Sequence, residues 1–326
     1  DLHFSDTGTP AVPNIFEGAF PPGSIGDRVM TGARFTNDDG YTKESHEVRI
    51  STDSDRRLRG LVGFFWQHQY HDFEQHWEVE GGVGTVMELN GGGDPRFEDT
   101  VYLNSLFRND RDRAYFASVS YDVTDDIELT VGTRFFEPQV SVEGFFGFGL
   151  GFATAGWSGT GEAQCNLFPE GQADWQGKPC RNVRKGIKED DNVSRFNATW
   201  NVSDDKMVYF TWSEGYRPGG INRAPAAGEY ISDFLTNYEF GWKTQWAGDR
   251  LQLNGAVFLQ EWDDFQVSFT GANAITQVDN GPSADVNGLE LNALWLATEG
   301  LRISTSMTFI DSELTADYND FDANGN

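Results

Sequence analysis

The feature that most constrains this chain is a period-two alternation of apolar and polar residues that recurs along most of its length. In one segment Tyr115, Val119 and Val123 alternate with polar residues such as Ser118 and Ser120. Side chains of a strand point alternately to two faces, so each such segment predicts a β-strand with one apolar and one polar face. Helical spacing is scarce, and an aromatic content of 14% with 37 Gly also favours strands and turns.

Short and long connections alternate strictly between these segments. The short ones are polar turns around Asp53–Asp55, Asp125–Asp126, Asp204–Asp205, Gly248–Asp249 and Glu299–Gly300. The long ones span approximately residues 69–112, 138–191, 218–231 and 263–284. In an up-and-down meander, alternate connections emerge at opposite ends. The sequence therefore predicts an all-β, antiparallel fold of about ten strands of about 9–12 residues, with tight turns at one end and long loops at the other.

This asymmetry favours a transmembrane β-barrel with short periplasmic turns and long extracellular loops. The apolar faces also carry Trp residues near the strand ends, as an interfacial belt requires: Trp200, Trp212, Trp242, Trp246 and Trp295. A soluble β-sandwich alternates its faces in the same way and remains the alternative. No stretch approaches the roughly 18 apolar residues of a membrane-spanning helix, so a helical bundle is excluded.

Charge and motifs narrow the function. A formal net charge of −27 argues against a nucleic-acid partner, because phosphate requires a basic surface. We find no nucleophile elbow, no His-Glu-x-x-His and no other catalytic set, so the chain is predicted not to be an enzyme and to need no cofactor.

The sequence predicts a loop at each end of the chain. Residues 1–40 contain Pro10, Pro13, Pro21 and Pro22, and residues 315–326 end in polar residues and glycine. The prediction is an extracellular loop over 1–40, barrel strands and loops over 41–314, and a loop over 315–326. Because a barrel must pair every edge, this arrangement predicts part of a larger barrel, cut from loop to loop.

Several segments resemble one known family in the same order. The clearest is "GYRPGGIN", residues Gly215, Tyr216, Arg217, Pro218, Gly219, Gly220, Ile221 and Asn222, at the end of an outward strand. The segments 43–51, 58–66, 237–243, 253–266 and 287–291 also match, so that the resemblance covers approximately residues 41–314. These motifs resemble TonB-dependent receptors of Gram-negative outer membranes.

This resemblance implies a barrel of about 22 strands, of which this chain holds about ten, without the N-terminal plug and the C-terminal strands. It further implies that the protein lies in the outer membrane, in contact with lipid. The TonB complex would supply energy through the missing plug, and the protein would take up a small-molecule ligand, usually a ferric siderophore. Vitamin B12, haem and carbohydrate are the other ligands of the family. A passive porin-like channel and a secreted all-β carbohydrate-binding protein remain the alternatives.

Candidate ligand-binding residues are the aromatic residues of the loops around 64–80, 144–157 and 216–223, because aromatic rings suit both catecholate rings and sugars. They are Trp66, Tyr70, Phe146, Trp157 and Tyr216, together with Arg217 of the family motif. The Gly-rich run around Phe146 fits loop packing as well as ligand contact. The lumen-side charges Glu128, Arg134, Glu239, Lys243, Glu290 and Arg302 are expected to pair across neighbouring strands or to contact the plug.

Two further groups have both a functional and a plain interpretation. His68, His71 and His76 lie near carboxylates with spacing that suits a first-row metal, but a polar loop explains them as well, and we predict no metal site. Cys165 and Cys180 lie in a Gly-rich polar stretch without a zinc-ligand set, which predicts a disulfide that closes a surface loop; two free thiols are the alternative.

Overall fold

The computed structural model describes residues 33–79, 88–89, 92–93, 100–149, 161–167, 175–224, 227–270 and 276–315. Its ten long strands are β1 (Ala33–Ser51), β2 (Leu58–Val79), β3 (Thr100–Asp122), β4 (Ile127–Phe148), β5 (Asp191–Ser203), β6 (Lys206–Arg217), β7 (Asp233–Trp246), β8 (Leu251–Asp263), β9 (Ala284–Thr298) and β10 (Leu301–Leu314). The shorter elements are the strands Glu88–Leu89, Gly92–Gly93, Val183–Lys188, Gly220–Ile221, Glu229–Tyr230, Gln266–Thr270 and Thr276–Asn280, and a 3₁₀ helix, Glu162–Leu167.

The ten long strands form one antiparallel sheet in which each strand pairs with the next along the chain. The short strand Val183–Lys188 joins the same sheet through β4. The predicted all-β up-and-down topology is confirmed. Among the described residues, no helix has the length and apolar character needed to cross a membrane.

All five tight connections lie at one end of the sheet, at the predicted positions. The turn between β3 and β4 is closed by the hydroxyl of Thr124, which accepts hydrogen bonds from the backbone N–H groups of Asp126 and Ile127. The turn between β7 and β8 runs through Ala247, Gly248 and Asp249, all with positive φ between 56° and 64°. Left-handed residues of this kind match the twist of the two strands that they join.

The first four strands are much longer than the 9–12 residues that we predicted. β1 has 19 residues and begins at Ala33, inside the predicted loop 1–40, and β2, β3 and β4 have 22, 23 and 22 residues. A strand of 22 residues is about 70 Å long, whereas about 9–11 residues cross the hydrocarbon region. The segments 33–41, 69–79, 100–111 and 138–148, which we call the tall sheet, therefore stand outside the membrane. The sequence pattern predicted loops for these segments because polar residues occupy both faces of the strands.

The outer face of the sheet is apolar and exposed. Val62 on β2 and Val119 on β3 are 53% and 51% exposed, and the directly paired Tyr115 and Phe135 are 58% and 56% exposed. Trp200, Trp246 and Trp295 lie half exposed at the turn end. Water does not favour so large a continuous apolar surface, whereas lipid and an interfacial aromatic belt explain it.

The inner face carries paired charges. Arg59 donates hydrogen bonds to Asp122 on β3 and to Glu128 on β4. The guanidinium of Arg134 lies over the rings of Phe65 and Phe116, at 5.0 and 5.9 Å, and Tyr209 donates to Glu239 at 2.6 Å. Cross-strand partners therefore hold these lumen-side groups, as the alternation predicts.

Candidate functional site

The inner face of the tall sheet carries a series of aromatic rings. Tyr41 meets the ring of His71 edge-on, with centroids 5.8 Å apart, and His71 lies 4.8 Å from Phe73. Further up, Tyr102 lies 5.4 Å from Trp77, which in turn lies 6.3 Å from Phe35. We call these six residues, Phe35, Tyr41, His71, Phe73, Trp77 and Tyr102, the inner aromatic ladder.

The ladder faces the same side as the lumen charges. The pairing of β2 with β3 runs without a register shift from Leu58 to Trp77, so the side chains keep their alternation throughout. Phe65 touches the inner-face residue Arg134, and both His71 and Phe73 lie an even number of residues from Phe65. The ladder is therefore continuous with the interior of the barrel.

Arg223 brings a positive charge to the ladder. Its guanidinium carbon lies 5.7 Å from the centroid of the Phe73 ring, which is a cation–π distance. Lower on the ladder, His71 hydrogen-bonds the carboxylate of Asp39, and this bond lowers the pKa of Asp39. Burial raises the pKa of Tyr102, so this phenol stays neutral. Phe73 itself is only 8% exposed, so the accessible part of this surface is formed by the exposed rings of Phe35, Tyr41 and Trp77 and by the exposed guanidinium of Arg223.

The loop that carries Arg223 is held from both sides. Lys185 donates to the carbonyl oxygens of Asn222 and Ala224, at 3.2 and 2.8 Å, and to that of Ala227. The side chain of Asn222 donates to the carbonyl of Val278 at 2.7 Å and accepts from its N–H at 2.8 Å. Because both neighbours of Arg223 are fixed, its side chain is directed onto Phe73.

Arg217 of the family motif makes a structural ion pair. It donates two hydrogen bonds to Asp233, which is only 1% exposed, and its guanidinium lies 5.5 Å from the Trp262 ring centre. The backbone N–H of Gln266 donates to the same carboxylate at 3.0 Å. The motif arginine is therefore engaged with neighbouring loop ends.

Two of the three glycines of the motif, Gly219 and Gly220, allow a close approach of two chain segments. A Cβ on Gly219 would overlap the carbonyl oxygen of Tyr230 and the carboxylate of Glu189, and one on Gly220 would overlap the Tyr230 ring. Glu189 accepts hydrogen bonds from the N–H of Gly219 at 2.9 Å and from the N–H and hydroxyl of Ser232, both at 2.8 Å. The motif is a corner that joins the bases of several long loops.

The structure does not bring the sequence-predicted ligand residues together. Trp66 and Tyr70 lie on strand β2, where we expected a loop, and on its outer face, with Trp66 stacked on His46 and Tyr70 on Phe107. Phe146 is buried at 2% exposure, and Tyr216 stacks on Phe136. Trp157 lies outside the described residues.

Sequence reasoning missed the inner aromatic ladder because it took residues 69–112 for a loop. The signal was present: extending the alternation of β2 beyond Phe65 places His71, Phe73 and Trp77 on the inner face. The same alternation places Trp66 and Tyr70 on the other side.

The three histidines do not form a common site. His68 hydrogen-bonds Asn109, His71 bonds Asp39, and His76 lies 2.8 Å from Glu74. His71 faces inward, whereas His68 and His76 face outward. Within the described ranges no group of three His, Cys, Asp or Glu side chains is arranged to hold a metal ion.

A disulfide joins Cys165 and Cys180 in the structure. It packs on the outer face of the tall sheet, where Cys180, Leu103 and Phe145 are fully buried together. Lys178 of the same segment forms an ion pair with Glu74. The hydrogen bond with His76, together with this ion pair, lowers the pKa of Glu74 to about 2. The bridged segment is thereby attached to the sheet.

Comparison with known proteins gives the family. The model of the TonB dependent receptor-like β-barrel matches residues 6–326. The pesticin receptor of Yersinia enterocolitica serotype O:8 / biotype 1B is 30% identical over 283 residues, which are 85% of this chain and 35% of that receptor. The pesticin receptor of Yersinia pestis matches to the same extent. The chain thus spans about a third of the length of these relatives.

Solved structures agree on the fold. The ferric yersiniabactin uptake receptor FyuA from Yersinia pestis has a TM-score of 0.63 at 19% identity, over 87% of this chain and 37% of that chain. The copper transporter OprC has a TM-score of 0.59 at 13% identity, over 87% and 39%. By their names these two proteins are an uptake receptor and a transporter, and the matched family is one of receptors and not of enzymes. The chain therefore belongs to the TonB-dependent receptor β-barrel family, and its sheet of ten long strands is part of an outer-membrane barrel of a Gram-negative bacterium.

Proposed function

We propose that this chain is the barrel part of a receptor that takes up a ferric siderophore across the outer membrane, driven by the TonB complex. The observation that carries the proposal is the inner aromatic ladder with Arg223 over Phe73 at 5.7 Å. The ladder lies above the membrane and faces the interior, which is the side from which a solute enters the barrel.

The chemistry of this surface suits an iron chelate with aromatic chelating groups. Such a complex offers flat rings and, when its phenolate or catecholate oxygens bind Fe³⁺, negative charge. The exposed ring of Tyr41 offers an aromatic surface, and the exposed guanidinium of Arg223 offers a positive charge. Arg108 and Asp110, paired at 2.8 Å on the same face, add polar contacts.

The family relationship supports the same substrate class. FyuA is described as a ferric yersiniabactin uptake receptor, and FauA from Bordetella pertussis, with a TM-score of 0.51 at 13% identity over 90% of this chain and 41% of that chain, as an alcaligin receptor. Carbohydrate, vitamin B12 and haem uptake by the same machinery are the competing assignments, because aromatic rings also bind sugar faces and porphyrins.

The test uses the full-length receptor. We would titrate it in detergent with ferric complexes of catecholate, phenolate and hydroxamate siderophores, with haem, with vitamin B12 and with oligosaccharides, and follow binding by tryptophan fluorescence. We would also measure uptake of radioactive iron by cells with and without TonB. The proposal expects iron uptake that depends on TonB. It also expects that, of the ligands tested, only a ferric chelate with aromatic groups binds tightly.

Variants separate the structural site from the sequence-predicted one. Arg223→Ala and Tyr41→Ala are expected to weaken chelate binding by about tenfold each, the effect of losing one charged or aromatic contact. Arg56→Ala, at an exposed position in the turn between β1 and β2, is the matched control for an arginine. Trp66→Ala is the discriminating variant. If it abolishes binding while Tyr41→Ala does not, the inner ladder is not the site.

A further inference from the structure

The outer face of the tall sheet presents cations directly above the lipid-facing residues. Tyr115 on β3 and Phe135 on β4 are paired, and the next outward pair up the same two strands is Arg113 and Glu137. Two cations share the carboxylate of Glu137: Arg113 contacts it at 2.5 Å and Lys188 at 3.4 Å.

One row higher, a third cation adds to the excess of positive charge. Arg111 and Lys188 both pair with Gln139, from its two sides. Arg111, Arg113 and Lys188 are all largely exposed. Glu44 stands two strands away from Arg111 at the same level. Arg111, Arg113 and Lys188 therefore lie around the carboxylate of Glu137, at the height where lipid headgroups begin.

A cavity of about 660 Å³ opens above this row. It lies one further row up, about 7 Å along the strands. Its floor is Tyr70, stacked on Phe107 with centroids 6.3 Å apart. Asn109 and Gln176 contribute amides, Arg184 a guanidinium and Glu143 a carboxylate. Aromatic faces with neighbouring amides are groups that bind sugar rings.

The segment that brings Gln176 to the cavity is held in place by its neighbours. Trp175 meets the ring of Phe107 edge-on at 6.1 Å, and the guanidinium of Arg181 lies 5.7 Å from the Trp175 ring centre. Trp175 lies within the loop closed by the Cys165–Cys180 disulfide, and Arg181 follows Cys180 directly. The cavity is therefore built by the fold on the side that faces away from the barrel interior.

We propose that this face binds a phosphorylated glycolipid of the outer leaflet. The order of surfaces along β3 and β4 is the order of groups in such a molecule. Its acyl chains lie against Tyr115 and Phe135, its phosphates contact Arg111, Arg113 and Lys188, and its first sugars occupy the cavity over Tyr70 and Phe107. The occupant is an amphiphile because the cavity continues directly into the lipid-facing surface.

The experiment measures binding of a fluorescent bisphosphorylated lipid A that carries its inner-core sugars to the full-length receptor in detergent. Arg113→Ala/Lys188→Ala is expected to weaken binding at least about tenfold, as expected for lost charged hydrogen bonds. Tyr70→Ala is expected to weaken binding of this probe but not that of lipid A without sugars. Lys43→Ala/Arg302→Ala is the matched control, since it removes two positive charges from the inner face.

Further measurements keep the outcome decisive. Heat-modifiable mobility on gels reports whether each variant is a folded barrel, and Lys188→Ala alone serves if the double variant does not assemble. On the native receptor, dephosphorylated glycolipid is expected to bind as weakly as the intact probe binds to the double variant. Equal affinity of all variants, equal binding of phosphatidylglycerol, or competition by millimolar inorganic phosphate would overturn the proposal.

Discussion

Arg223 and Phe73 come from segments 150 positions apart in the chain, yet the guanidinium carbon of one lies 5.7 Å from the ring centre of the other. Phe73 stands on the inner face of β2, and Arg223 reaches it from the loop that follows the family motif. This contact connects the most recognisable motif of the chain to the aromatic surface that we propose for ligand binding. The motif itself positions the loop.

Lys185 should control the ligand affinity without contacting the ligand. Lys185→Met keeps the aliphatic stem but removes the ammonium that holds the carbonyls of Asn222 and Ala224. We expect about fivefold weaker ligand binding by the full-length receptor, corresponding to about 1 kcal/mol of lost hydrogen bonding. Hydrogen exchange of residues 222–224 should become faster. Lys206→Met, at the turn end, is the control, and unchanged affinity in Lys185→Met would contradict this account.

Arg217→Ala should loosen several loops together. It leaves the carboxylate of Asp233, at 1% exposure, without its guanidinium partner, and such a loss costs about 2–4 kcal/mol locally. We expect faster hydrogen exchange at Gly219, Gly220, Ile231 and Gln266, because the side chain of Gln266 donates to the carbonyls of Pro218 and Ile231. If Arg217 is instead a ligand contact only, affinity falls while exchange at these positions stays unchanged.

Acid should release the disulfide-bridged segment from the tall sheet. The hydrogen bond of His76 and the ion pair with Lys178 lower the pKa of Glu74 to about 2, from an ordinary 4.5. A carboxyl with a depressed folded-state pKa stabilises the fold above its unfolded-state pKa, and this stabilisation is lost as the pH falls from about 4.5 to about 2. Because Glu74 is only half buried, we expect a loss of about 1–2 kcal/mol.

Limited proteolysis near Lys178 at decreasing pH, with an acid-stable protease, would measure that release. Glu74→Gln should show the high susceptibility already at pH 7 and little further change in acid. A native protein with pH-independent cleavage over this range would show that Glu74 does not hold the segment.

Removal of the disulfide should affect the bridged segment and leave the barrel intact. A closed loop of about 15 residues contributes about 3 kcal/mol through the unfolded chain. In Cys165→Ser/Cys180→Ser we expect normal heat-modifiable mobility but faster proteolysis between residues 161 and 182. Loss of barrel assembly in this variant would mean that the segment is needed for folding of the strands.

The membrane-spanning part of this fold could be predicted from sequence because lipid imposes a strict alternation. Leu289 and Leu291 face lipid while Gly288 and Glu290 face inward, and the five polar turns follow directly from where this pattern stops. The ten strands and their order need no further information.

The tall sheet could not be predicted in the same way. Around Gln69 and Asp72 water or covering loops replace lipid on the outer side, so polar residues are tolerated on both faces and the pattern fades. There the strands are specified by backbone pairing with their neighbours. The position of Arg223 depends on Lys185 and on the contact of Asn222 with Val278, which are 37 and 56 residues away from Asn222 in the chain. Local sequence contains no signal for such contacts.

The alternation of faces across the membrane is the central claim, and two adjacent residues of β10 test it. Met307 faces outward and is 47% exposed, whereas Thr308 faces inward opposite Glu290. A lysine facing lipid near the midplane costs about 2–4 kcal/mol, while one in the lumen is hydrated and can pair with Glu290. The measurement is urea unfolding of the full-length receptor in lipid vesicles. We predict that Met307→Lys is destabilised by this amount and that Thr308→Lys is as stable as the native protein. Equal stability of the two variants, or the reverse order, would contradict the account.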